Sequence, residues 1–253
     1  MHQPSKRKTL NAEQRRVLYA LYKFRFGTTD LLCATQHKSI TRQYMNTRLR
    51  ILQEQEYIGR HYDSKNRQHA PYAVYFLLPK GIAYLRQSPT DFQKNILGNI
   101  QKDREQPPNS RFIRHSLTIF AVYAQLAKQY GNTFKFYTRS YLSLPAFNNL
   151  PEKRPDAFAA GSFGTPMAHQ YIIECFDDTM PHSIMKQKIA RVVDHADSGL
   201  CPPAKPYPTL LFVCQTEQLQ KHVQRWATKA VSDGWTPNLK RIVATADSIN
   251  LFS

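Results

Sequence analysis

The sequence predicts an α+β protein in two parts, a small N-terminal unit of three helices and a β-hairpin followed by a larger α/β unit. Three observations carry that prediction. Apolar residues recur at helical spacing through most of residues 11–55, and short runs rich in β-branched and aromatic residues follow, continuing toward the C-terminus in alternation with helical stretches. Between the two patterns the composition changes: Ser88-Pro89, Pro107-Pro108-Asn109-Ser110 and mixed charges mark a linker. The parts are therefore drawn as residues 1–90, a linker at 91–110, and residues 111–253.

The N-terminal elements follow in order. Residues 1–9 carry Lys6, Arg7 and Lys8 without an apolar pattern and read as a basic arm or a solvated tail. Asn11, with Gln14 three residues on, is placed to cap a helix through Val17, Leu18, Leu21 and Phe24 that Gly27 stops. Thr28-Thr29-Asp30 restarts a short helix, and Ser39 is placed to cap a third running to about Gln55. On the third helix Met45, Leu49 and Leu52 share one side and Arg42, Gln43, Asn46 and Arg50 the other. Gln, Asn and Arg carry the paired donors and acceptors that match base edges in the major groove, although the same pattern also describes an amphipathic helix with a solvated face. Residues 57–62 and 72–78 read as two strands around a polar tip that holds Lys65 and Arg67, and residues 78–85 as a closing helix. Three helices and a basic-tipped hairpin predict a winged helix, with Arg42, Gln43, Asn46, Arg50, Lys65 and Arg67 as its DNA contacts.

The C-terminal elements begin with a helix over 112–130 that is apolar on more than one side and so is expected to be buried. Strands are predicted at 134–137, at 141–144, after Asp156 and around Glu174. A helix is expected at about 183–195, a continuous apolar strand at 209–214, a helix at 217–231 and a last strand at 241–244.

Charge narrows the function. The chain carries 35 Lys and Arg against 18 Asp and Glu, a net charge of +17. Residues 1–90 hold 16 bases against 5 acids and residues 91–253 hold 19 against 13, so the N-terminal unit is the more strongly basic. A polyanionic partner is implied, namely double-stranded DNA. The four cysteines form no C-x-x-C pair and suggest neither a zinc site nor a disulfide framework. No apolar run approaches the length that spans a bilayer and the N-terminus lacks an apolar signal core, so no membrane association and a cytoplasmic location are expected.

The chemistry concentrates between Pro151 and Asp194. Asp156, after Arg154-Pro155, opens one apolar run, and Glu174 lies inside another, Tyr171 to Phe176. A carboxylate in an apolar strand is expensive to bury alone, and two on neighbouring strands are explained by a shared cation. The order Pro-Asp, Glu and a Lys-bearing helix resembles the PD-(D/E)xK restriction-endonuclease superfamily. Within it the chain is most similar to the replication-relaxation family of plasmid proteins, in which a winged helix precedes the nuclease-like part and a His-Ser/Thr-Leu helix, here His115-Ser116-Leu117, lies between them.

That resemblance implies a restriction-endonuclease-like second domain, Mg²⁺ or Mn²⁺ held by Asp156 and Glu174, and metal-dependent nicking of an origin-type duplex. Phe176 stands where an active member usually has Lys, so the ammonium is expected from Lys186 or Lys188. The two are about 200° apart on a helix, and Lys188 lies along the side set by Ile184, Ile189 and Val192. The catalytic set is then Asp156, Glu174 and Lys188, with Asp177 and Asp178 as further ligands or a solvated turn. Other mobilisation or replication proteins and a second copy of the chain, in a homodimer, are the expected protein partners. The alternative is a winged-helix regulator whose nuclease-like part is inactive and serves for dimerisation or partner contact. An RNA-processing nuclease is disfavoured because the third helix resembles a duplex reader.

Overall fold

The computed structural model describes residues 10–36, 40–61, 73–87, 110–199 and 206–252. The chain divides into two compact units, residues 1–98 and 99–253.

In the first unit α1 (Ala12–Phe24) starts at a capping box, in which the Asn11 side chain accepts from the Gln14 N–H at 2.8 Å and Gln14 Oε1 accepts from the Asn11 N–H at 3.0 Å. Thr28 caps α2 (Thr29–Cys33). The helix α3 (Arg42–Glu54) is capped by Thr41, whose hydroxyl accepts from the Tyr44 N–H at 3.2 Å; the expected cap, Ser39, lies outside the described residues. Leu18, Leu21, Leu32, Met45, Leu49 and Leu52 supply the core of this unit.

Strands β2 (Ile58–His61) and β3 (Val74–Leu77) form an antiparallel pair, and a two-residue strand β1 (Phe26–Gly27) joins the far edge of β3. The expected stop at Gly27 comes earlier: α1 ends at Phe24 with Arg25 as its C-cap at a φ of 71°, and Gly27 already lies in β1, paired with Tyr75. The closing helix α4 (Pro79–Arg86) starts with Pro at its first position, where the missing N–H costs nothing. Gly81 in it is a close-approach glycine: a Cβ there would lie 2.3 Å from the Tyr57 carbonyl oxygen. The hairpin tip with Lys65 and Arg67, the arm at 1–9 and the linker lie outside the described residues.

The second unit is a five-stranded sheet of order β4-β5-β6-β7-β8, namely β4 (Phe134–Thr138), β5 (Ala157–Gly161), β6 (His169–Phe176), β7 (Thr209–Cys214) and β8 (Arg241–Thr245). The first three are antiparallel and the last three parallel. Parallel neighbours require crossovers, supplied here by α6 (His182–Asp197) and α7 (Glu217–Asp233). Their apolar faces share one core with Phe158, Ile172, Phe176, Leu210 and Phe212. The long helix α5 (Ser110–Tyr130) covers the opposite face, where Tyr123 meets Phe134 and Phe136. β7 is buried on both faces, which is why it reads as an uninterrupted apolar run.

Two expectations fail. Residues 141–144 are not a strand but a series of turns leading into a 3-10 turn, Pro145–Phe147. Leu142 is buried as a single anchor, its N–H donates to the Arg139 carbonyl, and Pro145 denies the segment a ladder donor. On α6 the buried side is Met185, Lys188, Ile189 and Val192, while Ile184 is 42% exposed. Lys188 still faces inward, because it lies three residues from both Met185 and Arg191.

Candidate functional site: a buried carboxylate pair with its cations

The site forms where β5 begins and β6 ends. Ala157 pairs with Ile173, so one further antiparallel step sets Asp156 opposite Glu174. Asp156 Oδ2 accepts from the Cys175 N–H at 2.8 Å, continuing the sheet's hydrogen bonding with a side chain. Arg154 Nη1 donates to the carbonyls of Phe147, Leu150 and Pro151 at 3.0, 2.9 and 3.2 Å and so fixes the turn that delivers Asp156. Glu174, fully buried, shares its face of β6 with Ile172 and Phe176 and points toward α6.

Lys188, Arg191, the His115 ring and one further acid meet this pair. Lys188 Nζ lies 2.5 Å from Asp156 Oδ2 and 2.9 Å from Glu174 Oε2, and donates to the Cys175 carbonyl at 3.3 Å. Arg191, one turn on, donates to Glu174 Oε1 at 2.7 Å. From the other face His115 Nε2 sits 3.1 Å from Asp156 Oδ1. Its Nδ1 faces Asp177 Oδ2 at 4.0 Å, and both of those atoms are buried without a hydrogen-bond partner among the described residues. Asp156 thus ties the α5 layer to the α6 layer through the end of the sheet.

The electrostatics follow from burial and neighbours. Burial alone would raise the Asp156 carboxyl, but the Lys188 ammonium and the His115 ring outweigh it and hold it well below the usual carboxylate range. Burial and the nearby Asp156 charge push Glu174 up to about 7 against the opposing pull of Lys188 and Arg191. Lys188 is held above the usual lysine range because its two carboxylates outweigh its desolvation. Two carboxylates are balanced by two obligate cations, the arrangement that makes such a buried cluster tolerable.

The sequence-predicted residues fall into separate groups. Asp156, Glu174 and Lys188 are in mutual contact, while Lys186 is exposed, its Nζ 5.2 Å from the centre of the Trp226 ring. A divalent ion does not fit this arrangement: each of the four carboxylate oxygens already faces His115, Lys188 or Arg191, and the Lys188 ammonium sits between the two acids. Among the described residues no three His, Cys, Asp or Glu side chains are grouped to hold a metal. Asp177 folds back on its own turn, accepting from the Thr179 N–H at 2.9 Å, and Asp178 accepts from Thr216 at 3.2 Å. His115, expected as a packed or hydrogen-bonded core residue rather than a ligand, does bond Asp156, and Arg191 joins the site without having been expected there. Arg191 was available from its position, three residues after Lys188 on one helix face.

On α3 the nominated DNA contacts Arg42, Gln43, Asn46 and Arg50 are all exposed opposite the buried Met45, Leu49 and Leu52. Arg42 lies 3.5 Å from Asp30 and Arg50 3.6 Å from Glu54, both solvent-exposed pairs of little strength. Asn46 Oδ1 accepts from the Thr29 hydroxyl at 2.9 Å, which ties α3 to α2.

The model of a protein family described as replication-relaxation matches residues 18–209, which takes in α3, the hairpin and the whole carboxylate site. No curated protein and no solved structure matches the chain.

Proposed function

The chain belongs to the replication-relaxation family, and from that premise we propose that it is a plasmid replication or mobilisation protein that recognises an origin-type DNA duplex through its N-terminal unit. The observation that carries this reading is α3: one side is packed into the core by Met45, Leu49 and Leu52, and the other presents Arg42, Gln43, Asn46 and Arg50 to solvent. Such a helix, in a unit of three helices and a hairpin, suits insertion into a major groove, with basic residues of the hairpin and arm contacting phosphates. The net charge of +11 over residues 1–90 supplies the nonspecific part of the affinity. Titrating a fluorescent duplex from the cognate plasmid origin with the full chain tests it. Binding that weakens steeply with salt is expected, and no duplex binding at low salt refutes it.

A second reading, nicking of that duplex by the C-terminal unit, is favoured by one observation: Lys188 is buried between Asp156 and Glu174 rather than exposed like Lys186. In this reading Lys188 places its positive charge at the reacting phosphate. The cluster as it stands has no place for the Mg²⁺ or Mn²⁺ that the resemblance implies. Conversion of supercoiled plasmid to open circles, with each ion and with chelator, decides it. Loss with Lys188→Ala and retention with Lys186→Ala supports the assignment, and the reverse refutes it. If no condition gives nicking, the C-terminal unit is left as an inactive scaffold for partner or dimer contact.

A further inference from the structure

The layer formed by α6 and α7 turns one face to the sheet, and its outer face is both basic and aromatic. Along α7 the exposed residues Lys221, Arg225 and Lys229 follow one another at four-residue intervals, which sets them in a row about 6 Å apart along the axis. None of the three makes an ion pair with a described residue. Residues 182–193 and 218–232 hold no Asp or Glu, and the row is bounded by Glu217, four before Lys221, and Asp233, four after Lys229. Arg241 adds another cation beside the row, its Nη2 donating to the Thr228 hydroxyl at 3.3 Å.

Rings accompany the charges. The half-buried Trp226 meets His182 at 5.1 Å and His222 at 5.7 Å between ring centres, with Lys186 against the same indole. Just beyond the C-terminal end of α7, Trp235 is 91% exposed. Its backbone N–H is anchored to Asp197 Oδ2 at 3.1 Å, so the chain is fixed there while the ring stands in solvent. Leaving an indole in water forgoes the stabilisation of burying a large apolar surface, and a solvent-facing indole anchored just past the end of a helix that carries unpaired cations suits a partner that brings both phosphates and open ring faces.

A duplex offers phosphates but keeps its base faces stacked inside. A single strand offers both, and rows of cations with aromatic platforms are how such strands are held. We propose that the outer face of α6 and α7, with Lys221, Arg225 and Lys229 on the phosphates and Trp235 against a base, binds single-stranded DNA. The choice of DNA over RNA rests on the duplex reading of the N-terminal unit, whereas the surface itself does not.

The test uses the full chain and a fluorescein-labelled oligo(dT) of about 15 nucleotides, within the site sizes such surfaces occupy, with a duplex and an oligo(U) of equal length as parallel arms. K221A/R225A/K229A should weaken oligo(dT) binding by at least about tenfold and make the slope of log K against log salt shallower by about 2, at roughly 0.7 for each phosphate no longer neutralised. Trp235→Ala should weaken it by roughly tenfold with the salt slope unchanged. Both variants should keep duplex affinity within about twofold of wild type, as expected if separate surfaces hold the two forms. Oligo(dT) affinity unchanged in the triple variant, or duplex affinity falling in step with it, overturns the proposal. Tighter binding of oligo(U) overturns the choice of DNA. A wild-type chain that binds oligo(dT) but not duplex would refute the duplex reading and leave this surface standing.

Discussion

Replacing Lys188 by Met probes the buried charge cluster with little change of side-chain length. In the native arrangement the ammonium touches Asp156 at 2.5 Å and Glu174 at 2.9 Å, and its side chain is only 11% exposed. After the substitution Asp156 retains His115 and the Cys175 N–H, and Glu174 retains Arg191, but the two acids lose the cation between them. Removing one partner of a buried pair costs about 3–5 kcal/mol, and the surviving partners place this case near the lower end, about 3 kcal/mol. For a chain of this size that is a fall of about 6–12 °C in the melting midpoint of the C-terminal unit, read by differential scanning calorimetry at pH 8. Adding Glu174→Gln to Lys188→Met removes one of the two like charges and should recover at least about 1 kcal/mol, a coupling expected only of residues that touch. A midpoint within about 2 °C of wild type, with no recovery in the double variant, would refute the claim that Lys188 balances the carboxylates.

Glu174 also sets a pH dependence. Its folded value, about 7, lies above the usual 4.5, so between those values the folded state holds a proton the unfolded state lacks, and stability should fall as pH rises from about 4.5 through 7. Urea titrations across that range should show the slope flatten in Glu174→Gln. Asp156 acts with the opposite sign, because its folded value is depressed below 3.8: its contribution is present above that pH and is lost on acidification, a loss Asp156→Asn should remove from acid titrations. In the N-terminal unit Gly81→Ala forces backbone apart, since the new Cβ would lie 2.3 Å from the Tyr57 carbonyl oxygen. It should cost about 1–3 kcal/mol in urea unfolding even though Ala is the better helix former.

Much of this architecture was legible because local signals and tertiary demands agree. Asn11 and Gln14 declare the start of α1 as a capping box, and the apolar run at 209–214 declares a strand buried on both faces. Signals failed where a single residue decides the outcome. Tyr141 to Leu144 alternates like a strand, yet only Leu142 is needed inside and Pro145 closes the segment as turns. Within the site, Asp156, Glu174 and the inward face of Lys188 follow from strand order and helix rotation. The Arg191 pairing and the reach of His115 across the end of the sheet depend on how three layers meet, which no one-dimensional spacing encodes. The approach of His115 to Asp177, at 4.0 Å, has the same origin.

The duplex-recognition claim is tested most directly by comparing the wild-type chain with Arg42→Ala, Asn46→Ala and Arg50→Ala combined, on an origin duplex and on a scrambled duplex of equal length, by gel shift at fixed salt. Each good bidentate base contact is worth about 1–3 kcal/mol of discrimination, so removing even two predicts a collapse of the origin preference by at least about 30-fold. Binding to the scrambled duplex should weaken much less, because the hairpin and arm charges remain. An origin preference that survives the triple substitution intact would contradict the account.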